Sequence, residues 1–265
     1  MCGLAFSRNI ILNDSINHEF LNSRGPDFNQ TLHLGNISLV HYRLKIYDLS
    51  DQYNQPYTLD KNYYLLFNGS IYNYKELAKK YELENPTSDT HVLYLLLIKF
   101  GENILNELNG MFSIIFHDLK LDKTLIVRDR YGIKPLYYFH NSEKFLVSSS
   151  AKLIAKTMML GIDNDYIKFG LVNGFYDEFN SSPYNDVIPI KPAKFYILDD
   201  KGLSVNDYYT IKLGDKKVNN SSSRLKSILE DSVNIRLDCD RKVGCSQSGG
   251  VDSSIITYLG SKHPR

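Results

Sequence analysis

Met1-Cys2-Gly3-Leu4-Ala5-Phe6-Ser7-Arg8-Asn9 opens the chain, and its second residue decides how the remainder is read. Aminopeptidases remove an initiator methionine when the next side chain is small, so Cys2 can become a mature N-terminus carrying a thiol and a free α-amine on one residue. An α-amine with an unperturbed pKa of about 7.7–8.0 is a usable base near neutral pH, and a nucleophile activated by an N-terminal amine is an established catalytic device. The alternative is a buried or incidental cysteine at a frayed end. The residues downstream choose between the two.

Composition narrows the classes. The chain has 265 residues, enough for one large domain or two ordinary ones. Its 31 basic and 30 acidic residues leave a net charge of +1, with no polybasic footprint for nucleic acid and no acidic tail. Three cysteines, Cys2, Cys239 and Cys245, form no CxxC pair, and seven histidines form no HExxH. Neither a disulfide scaffold nor a metal site is expected. The longest apolar run, near Val92 to Ile98, falls well short of the ~20 residues that a bilayer span requires. With no basic-then-apolar leader either, the expectation is a cytoplasmic protein acting on small molecules, with neither nucleic acid nor membrane as partner.

From the first residue to about 210, short runs rich in Tyr, Phe, Val and Ile alternate with Gly, Pro, Asn and Asp. Asn36 to Tyr42, Tyr63 to Phe67, Met111 to Phe116, Thr124 to Val127, Leu136 to Phe139, Phe145 to Val147 and Phe195 to Leu198 read as strands. The polar connections Asp118 to Asp122 and His140 to Lys144 predict hairpins. Helical spacing is confined to Lys75 to Leu83 and to Asp89 to Phe100, the latter with Ser88 or Asp89 as N-cap and Gly101 past its end. These helices are too few and too clustered to separate every strand, which predicts an α+β fold of antiparallel sheets with helices outside.

Residues 211–223, largely Lys212 to Ser223, read as a polar linker. Beyond it, Leu225, Ile228, Leu229, Val233 and Ile235 predict an amphipathic helix behind a Ser222 or Ser223 cap. Lys242 to Ser246 is a strand candidate running into Ser248-Gly249-Gly250-Val251-Asp252-Ser253-Ser254, and Ile255 to Leu259 a final helix. One strand-loop-helix unit cannot bury both faces of a parallel sheet, so residues 224–265 are expected to be the start of a longer α/β domain.

Several residues suit a nucleophile that hydrolyses a side-chain amide. Arg43, at the end of a strand, can clamp a carboxylate in bidentate fashion. Asn68-Gly69, closing another strand, offers an amide and a backbone N–H for an oxyanion hole, although Asn-Gly is also a common turn. Asp89 can hold an ammonium, or simply cap its helix. Glycines, serines and a helix N-terminus at Ser248 to Ser254 suit a phosphate.

The order of the motifs carries more than any one of them. Met1-Cys2-Gly3, Arg24-Gly25-Pro26-Asp27, Arg43-Leu44, Asn68-Gly69-Ser70-Ile71-Tyr72-Asn73, Ser88-Asp89, Gly110-Met111-Phe112 and the stretch from Arg128 to Tyr138 follow one another as in class II glutamine amidotransferases. With the Ser248 to Ser254 loop added, nearly the whole chain resembles glutamine-hydrolysing asparagine synthetase.

The resemblance implies an N-terminal nucleophile hydrolase fold for residues 1–210, a four-layer αββα sandwich with two antiparallel sheets, followed by a truncated α/β nucleotide-binding domain. It implies Cys2 as nucleophile, with its own α-amine moving the proton, and Asn68 and Gly69 as the oxyanion hole. Arg43, Leu44, Lys45, Ile46, Tyr47, Asn68, Gly69, Ser70 and Asp89 would bind glutamine. Gln247, Ser248, Gly249, Gly250, Val251, Asp252 and Ser253 would bind ATP, with magnesium carried by the nucleotide and no protein metal site. The implied partners are glutamine, ATP and a carboxylate acceptor such as aspartate, and the resemblance also implies a homodimer. Three positions depart from the family pattern: Ser70 and Ser150 stand where glutamates are usual, and Gln247 where leucine is common. The alternatives are amidation of a sugar carboxylate or another metabolite in surface polysaccharide synthesis, a non-catalytic glutamine-binding module, and a glutaminase half serving another transferase.

Overall fold

The computed structural model describes residues 1–84, 87–176, 181–211 and 221–263. They fall into two units, Met1–Lys45 with Ser50–Thr210, and Ile46–Leu49 with Ile211–Arg265.

In the first unit the chain runs β1 (Gly3–Arg8), α1 (Asp14–Leu21), β2 (Phe28–Leu34), β3 (Ile37–Arg43), β4 (Tyr63–Ile71), α2 (Tyr74–Lys80), α3 (Asp89–Phe100), β5 (Gly110–Asp118) and β6 (Lys123–Arg128). It continues with β7 (Tyr137–His140), β8 (Phe145–Ser148), α4 (Ala151–Met158), α5 (Asn164–Asn173), β9 (Ile188–Pro189), β10 (Lys194–Asp199) and β11 (Gly202–Asp207). Two sheets result, ordered β2-β3-β1-β8-β7-β9 and β11-β10-β6-β5-β4, and every strand pair in them is antiparallel. Both expected hairpins form, β5 with β6 and β7 with β8.

Strand alternation makes the layers. Leu4 and Phe6 of β1, Ile37 and Leu39 of β3, Leu66 of β4, Ile115 of β5 and Ile126 of β6 share one apolar cluster, the filling between the sheets. The intervening residues face outward. Leu65, Phe67 and Ile71 of β4 pack with Leu77 of α2 and with Leu93, Leu96 and Leu97 of α3. Ala5, Val40 and Leu146 pack with Leu21 of α1 and with Leu153 and Ile154 of α4. Helix, sheet, sheet, helix is the expected αββα sandwich.

The second unit contains α6 (Ser221–Leu237) and α7 (Val251–Ser261). Residues 212–220 of the expected linker lie outside the described residues, and Ser222 and Ser223, expected as caps, lie in the first turn of α6. Lys242 to Ser246 forms no strand. A strand needs neighbours for its backbone groups, and the described residues of this unit provide none.

Candidate active site

The period-two alternation of β1, carried one residue beyond its start, turns Cys2 toward the space between the sheets. Its strand lies inside the sheet, with Gly3 opposite Tyr42 of β3 and Ala5 opposite Ser148 of β8. The Leu44 N–H donates to Cys2 Sγ at 3.3 Å, and the thiol faces the Leu44 carbonyl at 3.7 Å. Burial pushes the thiol pKa up, against weaker pulls from the Leu44 N–H, the N-terminal amine, Lys134 and Arg43. Burial also lowers the pKa of the Met1 α-ammonium, which precedes Cys2 in this structure. Both shifts favour the uncharged forms of these two groups.

Two cations that lie within the sequence motifs, but to which sequence alone assigns no role, stand close by. Arg24 Nε donates to the Cys2 carbonyl at 3.3 Å, and Arg24 Nη2 is buried with no hydrogen-bond partner among the described residues. Lys134 is buried, its ammonium lowered by that burial and interacting electrostatically with Cys2. Asp129 holds the Lys134 loop by accepting from the N–H groups of Phe112, Tyr131, Ile133 and Lys134 at 3.3, 3.1, 3.0 and 2.9 Å.

Asn68 and Gly69 lie within β4, not at its close as the sequence suggested. Gly69 pairs with Phe112, and a Cβ there would lie 2.2 Å from the Met111 carbonyl oxygen, so the strands can approach only because the residue is glycine. Asn68 and Ser70 share the inner face with Leu66, and both are buried. Asn68 Nδ2 has no hydrogen-bond partner among the described residues. β4 is the last strand of its sheet. Its even-numbered backbone groups turn toward β5, a direction set at the two ends by the Asn62 carbonyl accepting from Leu119 and the Tyr72 N–H donating to Asn109, each at 2.8 Å. The odd-numbered groups, Gly69 N–H included, therefore point to the open edge. An unpaired side-chain amide and an edge N–H stand on successive residues.

The other expected positions divide. Arg43 ends β3 on the inner face, buried, its Nη1 donating to the Ser50 carbonyl at 2.7 Å and to Asn54 Oδ1 at 2.8 Å. Ser88 caps α3 by accepting from the Thr90 N–H at 3.2 Å. The Asp89 carboxylate, buried at the helix N-terminus, accepts the Ile71 N–H at 3.1 Å. Burial raises its pKa to about 6, against the opposing backbone bonds from Ile71 and Thr90 and the charge of Arg43. Lys45 donates its N–H to Asp27 Oδ2 at 2.8 Å and pairs its Nζ with Asp51 at 2.7 Å. Ile46 and Tyr47 belong to the second unit, where the Ile46 carbonyl accepts the Asp240 N–H at 3.0 Å.

In that unit Ser248 to Asp252 are exposed and Ser253 and Ser254 half-buried in the first turn of α7, and Gly249 takes a φ of +87°, a conformation that favours glycine. Gly250 precedes α7 without a side-chain cap, which leaves first-turn N–H groups open. Ser253 and Ser254 donate their hydroxyls to the Gly250 carbonyl at 3.1 and 2.8 Å, and Gln247 Nε2 donates to Ser254 Oγ at 3.2 Å. An uncapped helix start behind glycines fits a phosphate group. No cluster of His, Cys, Asp and Glu suited to a metal occurs among the described residues, and no helix among them is long and apolar enough to cross a membrane.

Comparison with known proteins identifies the family. Residues 1–209 match the family described as glutamine amidotransferase domain, and residues 224–265 the family described as asparagine synthase. A Methanocaldococcus jannaschii protein with the provisional name asparagine synthetase [glutamine-hydrolyzing] 2 is 31% identical over 97% of this chain and 56% of its own length. Asparagine synthetase [glutamine-hydrolyzing] 1 of Bacillus subtilis is 31% identical over 91% of this chain and 39% of its own. Asparagine synthetase B of Escherichia coli is 29% identical over 91% and 40%. The chain thus spans about half the length, or less, of these relatives. Among solved structures, glutamine phosphoribosylpyrophosphate amidotransferase from B. subtilis, complexed with ADP and GMP, aligns over 99% of this chain and 64% of its own with a TM-score of 0.56 at 13% identity, which speaks to the fold alone. With its sandwich, its leading cysteine and a match across residues 1–209, this chain belongs to the glutamine amidotransferase domain family.

Proposed function

We propose that the first unit hydrolyses glutamine with Cys2 as nucleophile and that the ammonia is delivered to a carboxylate activated with ATP. Arg43 binds the glutamine α-carboxylate and Asp89 its α-ammonium, which brings the side-chain amide to Cys2 Sγ. After removal of Met1, the Cys2 α-amine takes the thiol proton as sulfur bonds to the amide carbon. The resting thiol is held neutral by burial, so deprotonation accompanies attack, and a base on the same residue needs no further element to position it. The oxyanion is stabilised by Asn68 Nδ2–H and Gly69 N–H, each such donor being worth about 3–4 kcal/mol. Arg24 and Lys134 add positive potential. Collapse of the adduct returns the proton to the leaving nitrogen, releasing ammonia and leaving a γ-glutamyl thioester. Water then cleaves the thioester to glutamate and restores the thiol.

The observation that carries this reading is the buried Asn68 Nδ2, without a hydrogen-bond partner among the described residues, adjacent to an edge-facing glycine N–H. A buried donor left unpaired costs about 1–3 kcal/mol, and a donor awaiting a transition-state oxygen explains why that cost is kept. In the second unit, the backbone from Ser248 to Ser253 would hold the ATP phosphates, with magnesium arriving on the nucleotide, which supplies adenylation of the acceptor. The names of the relatives support aspartate as acceptor, giving asparagine, AMP and pyrophosphate. A fungal relative named amidase chry2, 27% identical over 93% of this chain, keeps another carboxylate open as acceptor. The test is glutamate release from glutamine by wild type, Cys2→Ala and Asn68→Ala. Turnover lost in the first and reduced in the second supports the proposal; turnover retained in Cys2→Ala ends it.

A further inference from the structure

We propose that Gln55 and His41 are positioning residues for the oxyanion donors, holding the backbone of Phe67 on both sides so that Asn68 and Gly69 are presented in one fixed orientation. The proposal rests on the reading of Asn68 and Gly69 given above.

An edge strand exposes alternate N–H and C=O groups along its open side. On β4 these groups belong to odd-numbered residues, and most of those around Gly69 are taken. Leu65 exchanges both its bonds with the Tyr57 backbone at 2.9 Å, and the Ile71 N–H goes to Asp89. Phe67, immediately before Asn68, is met on this edge by two side chains: its N–H donates to Gln55 Oε1 at 2.6 Å, and its carbonyl accepts from His41 Nε2 at 3.2 Å. Both partners are buried, at 3% and 0% exposure, and His41 reaches across from β3 in the opposite sheet. The edge is thus closed at Phe67 by two desolvated side chains and at Leu65 and Ile71 by other groups.

A carbonyl can only accept, so the His41 proton sits on Nε2, and Nδ1 is buried without a partner among the described residues. Burial drives the His41 pKa down to about 3, with Arg43 acting in the same sense, so the ring stays a neutral donor throughout the working range. The Phe67 carbonyl and the Asn68 N–H share one rigid peptide plane. The Phe67 N–H lies in the preceding peptide plane, so Gln55 and His41 hold the two planes that meet at Phe67, and with them the direction in which Asn68 and Gly69 leave. Misplacement of a reacting group by 1 Å can cost about 10²-fold in rate.

The test measures glutamine hydrolysis by Gln55→Met, His41→Leu and His41→Gln, alone and combined with Asn68→Ala, each variant first checked for cooperative unfolding. Gln55→Met and His41→Leu are expected to lower kcat about ten- to hundredfold while KM changes less than about threefold, because Arg43 and Asp89 still hold the ground state. His41→Gln keeps an amide donor and should recover most of the loss. On the Asn68→Ala background, Gln55→Met should cost clearly less than it does alone, since the part of its effect that runs through Asn68 is already lost and only the part through Gly69 remains. If Gln55→Met does not fold, the contrast between His41→Leu and His41→Gln carries the test. Additive losses, or kcat and KM failing together without rescue by His41→Gln, would overturn the positioning role while leaving the oxyanion hole standing. An Asn68→Ala single variant with unchanged kcat would overturn the underlying reading instead.

Discussion

Replacing Asp89 with asparagine should make the protein more stable and less able to bind glutamine, and the two effects have one cause. Asp89 is buried, accepts the Ile71 N–H, and has its pKa raised from 3.8 to about 6, chiefly by burial. About 2 pKa units correspond to about 3 kcal/mol between the charged and neutral forms. For an acid whose folded pKa is raised, the native state holds more protons than the unfolded one between the two pKa values. The stabilisation is therefore complete below pH 3.8 and is lost as pH rises through about 6. Asparagine keeps an oxygen for the Ile71 N–H and never ionises. The stability gap between Asp89→Asn and wild type should be small near pH 4, widen through pH 5 and 6, and level off at about 3 kcal/mol near pH 7. For a unit of this size that amounts to a Tm roughly 6–12 °C higher. Thermal unfolding without glutamine from pH 5 to 8 reads the gap, and a glutaminase assay reads the KM, which should rise at least tenfold with loss of the ammonium partner. In wild type the same KM should rise as pH falls below about 6. A gap that does not vary with pH, or an unchanged KM, would refute the assignment of Asp89 as a strained, ionised ligand.

Other expectations follow from the same geometry. Asn68→Ala should lower kcat for glutamine hydrolysis about 10²–10³-fold with little change in KM, measured by glutamate release at saturating glutamine. Gly69→Ala places a methyl 2.2 Å from the Met111 oxygen and should destabilise by at least about 1–3 kcal/mol, visible as a lower denaturant midpoint. Asp129→Ala orphans four backbone N–H groups, so a loss above about 4 kcal/mol is expected in equilibrium unfolding, with Asp129→Asn recovering part of it. Intact mass should show the active enzyme without Met1, and a form that retains it should release no glutamate.

How far the sequence is legible depends on where each residue's environment comes from. Helix α3 runs from Asp89 to Phe100 as its spacing predicts, because a capping serine, an apolar run and a terminal glycine are all local signals. β1 carries no such signature. All of its residues from Gly3 to Ser7 are buried, since it lies centrally in its sheet, and the alternation that marks a half-exposed strand is absent. β2 escapes for the opposite reason: Asn29 and Gln30 are exposed at a sheet edge and dilute the β signal. Cys2, Arg43, Asn68 and Asp89 are legible as chemistry. The setting of Asn68-Gly69 is not, because the close approach that demands a glycine there comes from Met111, more than forty residues away. Arg24 and Lys134 go unrecognised as neighbours of Cys2 for the same reason. The strand expected at Lys242 to Ser246 has a strand's composition but no sheet to join among the described residues.

In the proposed mechanism, the positions of β1 and β4 in their sheets answer opposite chemical requirements. A nucleophile has to be held, and β1 is flanked on both sides, with the Leu4 N–H donating to Ser149 Oγ at 3.0 Å and the Leu4 carbonyl accepting the Ser149 N–H at 3.0 Å. An oxyanion donor has to be free, and a backbone N–H inside a sheet is already spent on the neighbouring strand. Only an edge strand can offer one without breaking a ladder, and β4 is such a strand. Its even face carries the Asn68 amide inward while its odd edge leaves the next N–H toward the open side, so successive residues offer one side-chain and one backbone donor. A central strand could supply the side chain but not the N–H. A loop could supply both but would have to be held still by other contacts. An edge strand with its remaining groups occupied does both, and Gly69 is the residue at which that edge stays open.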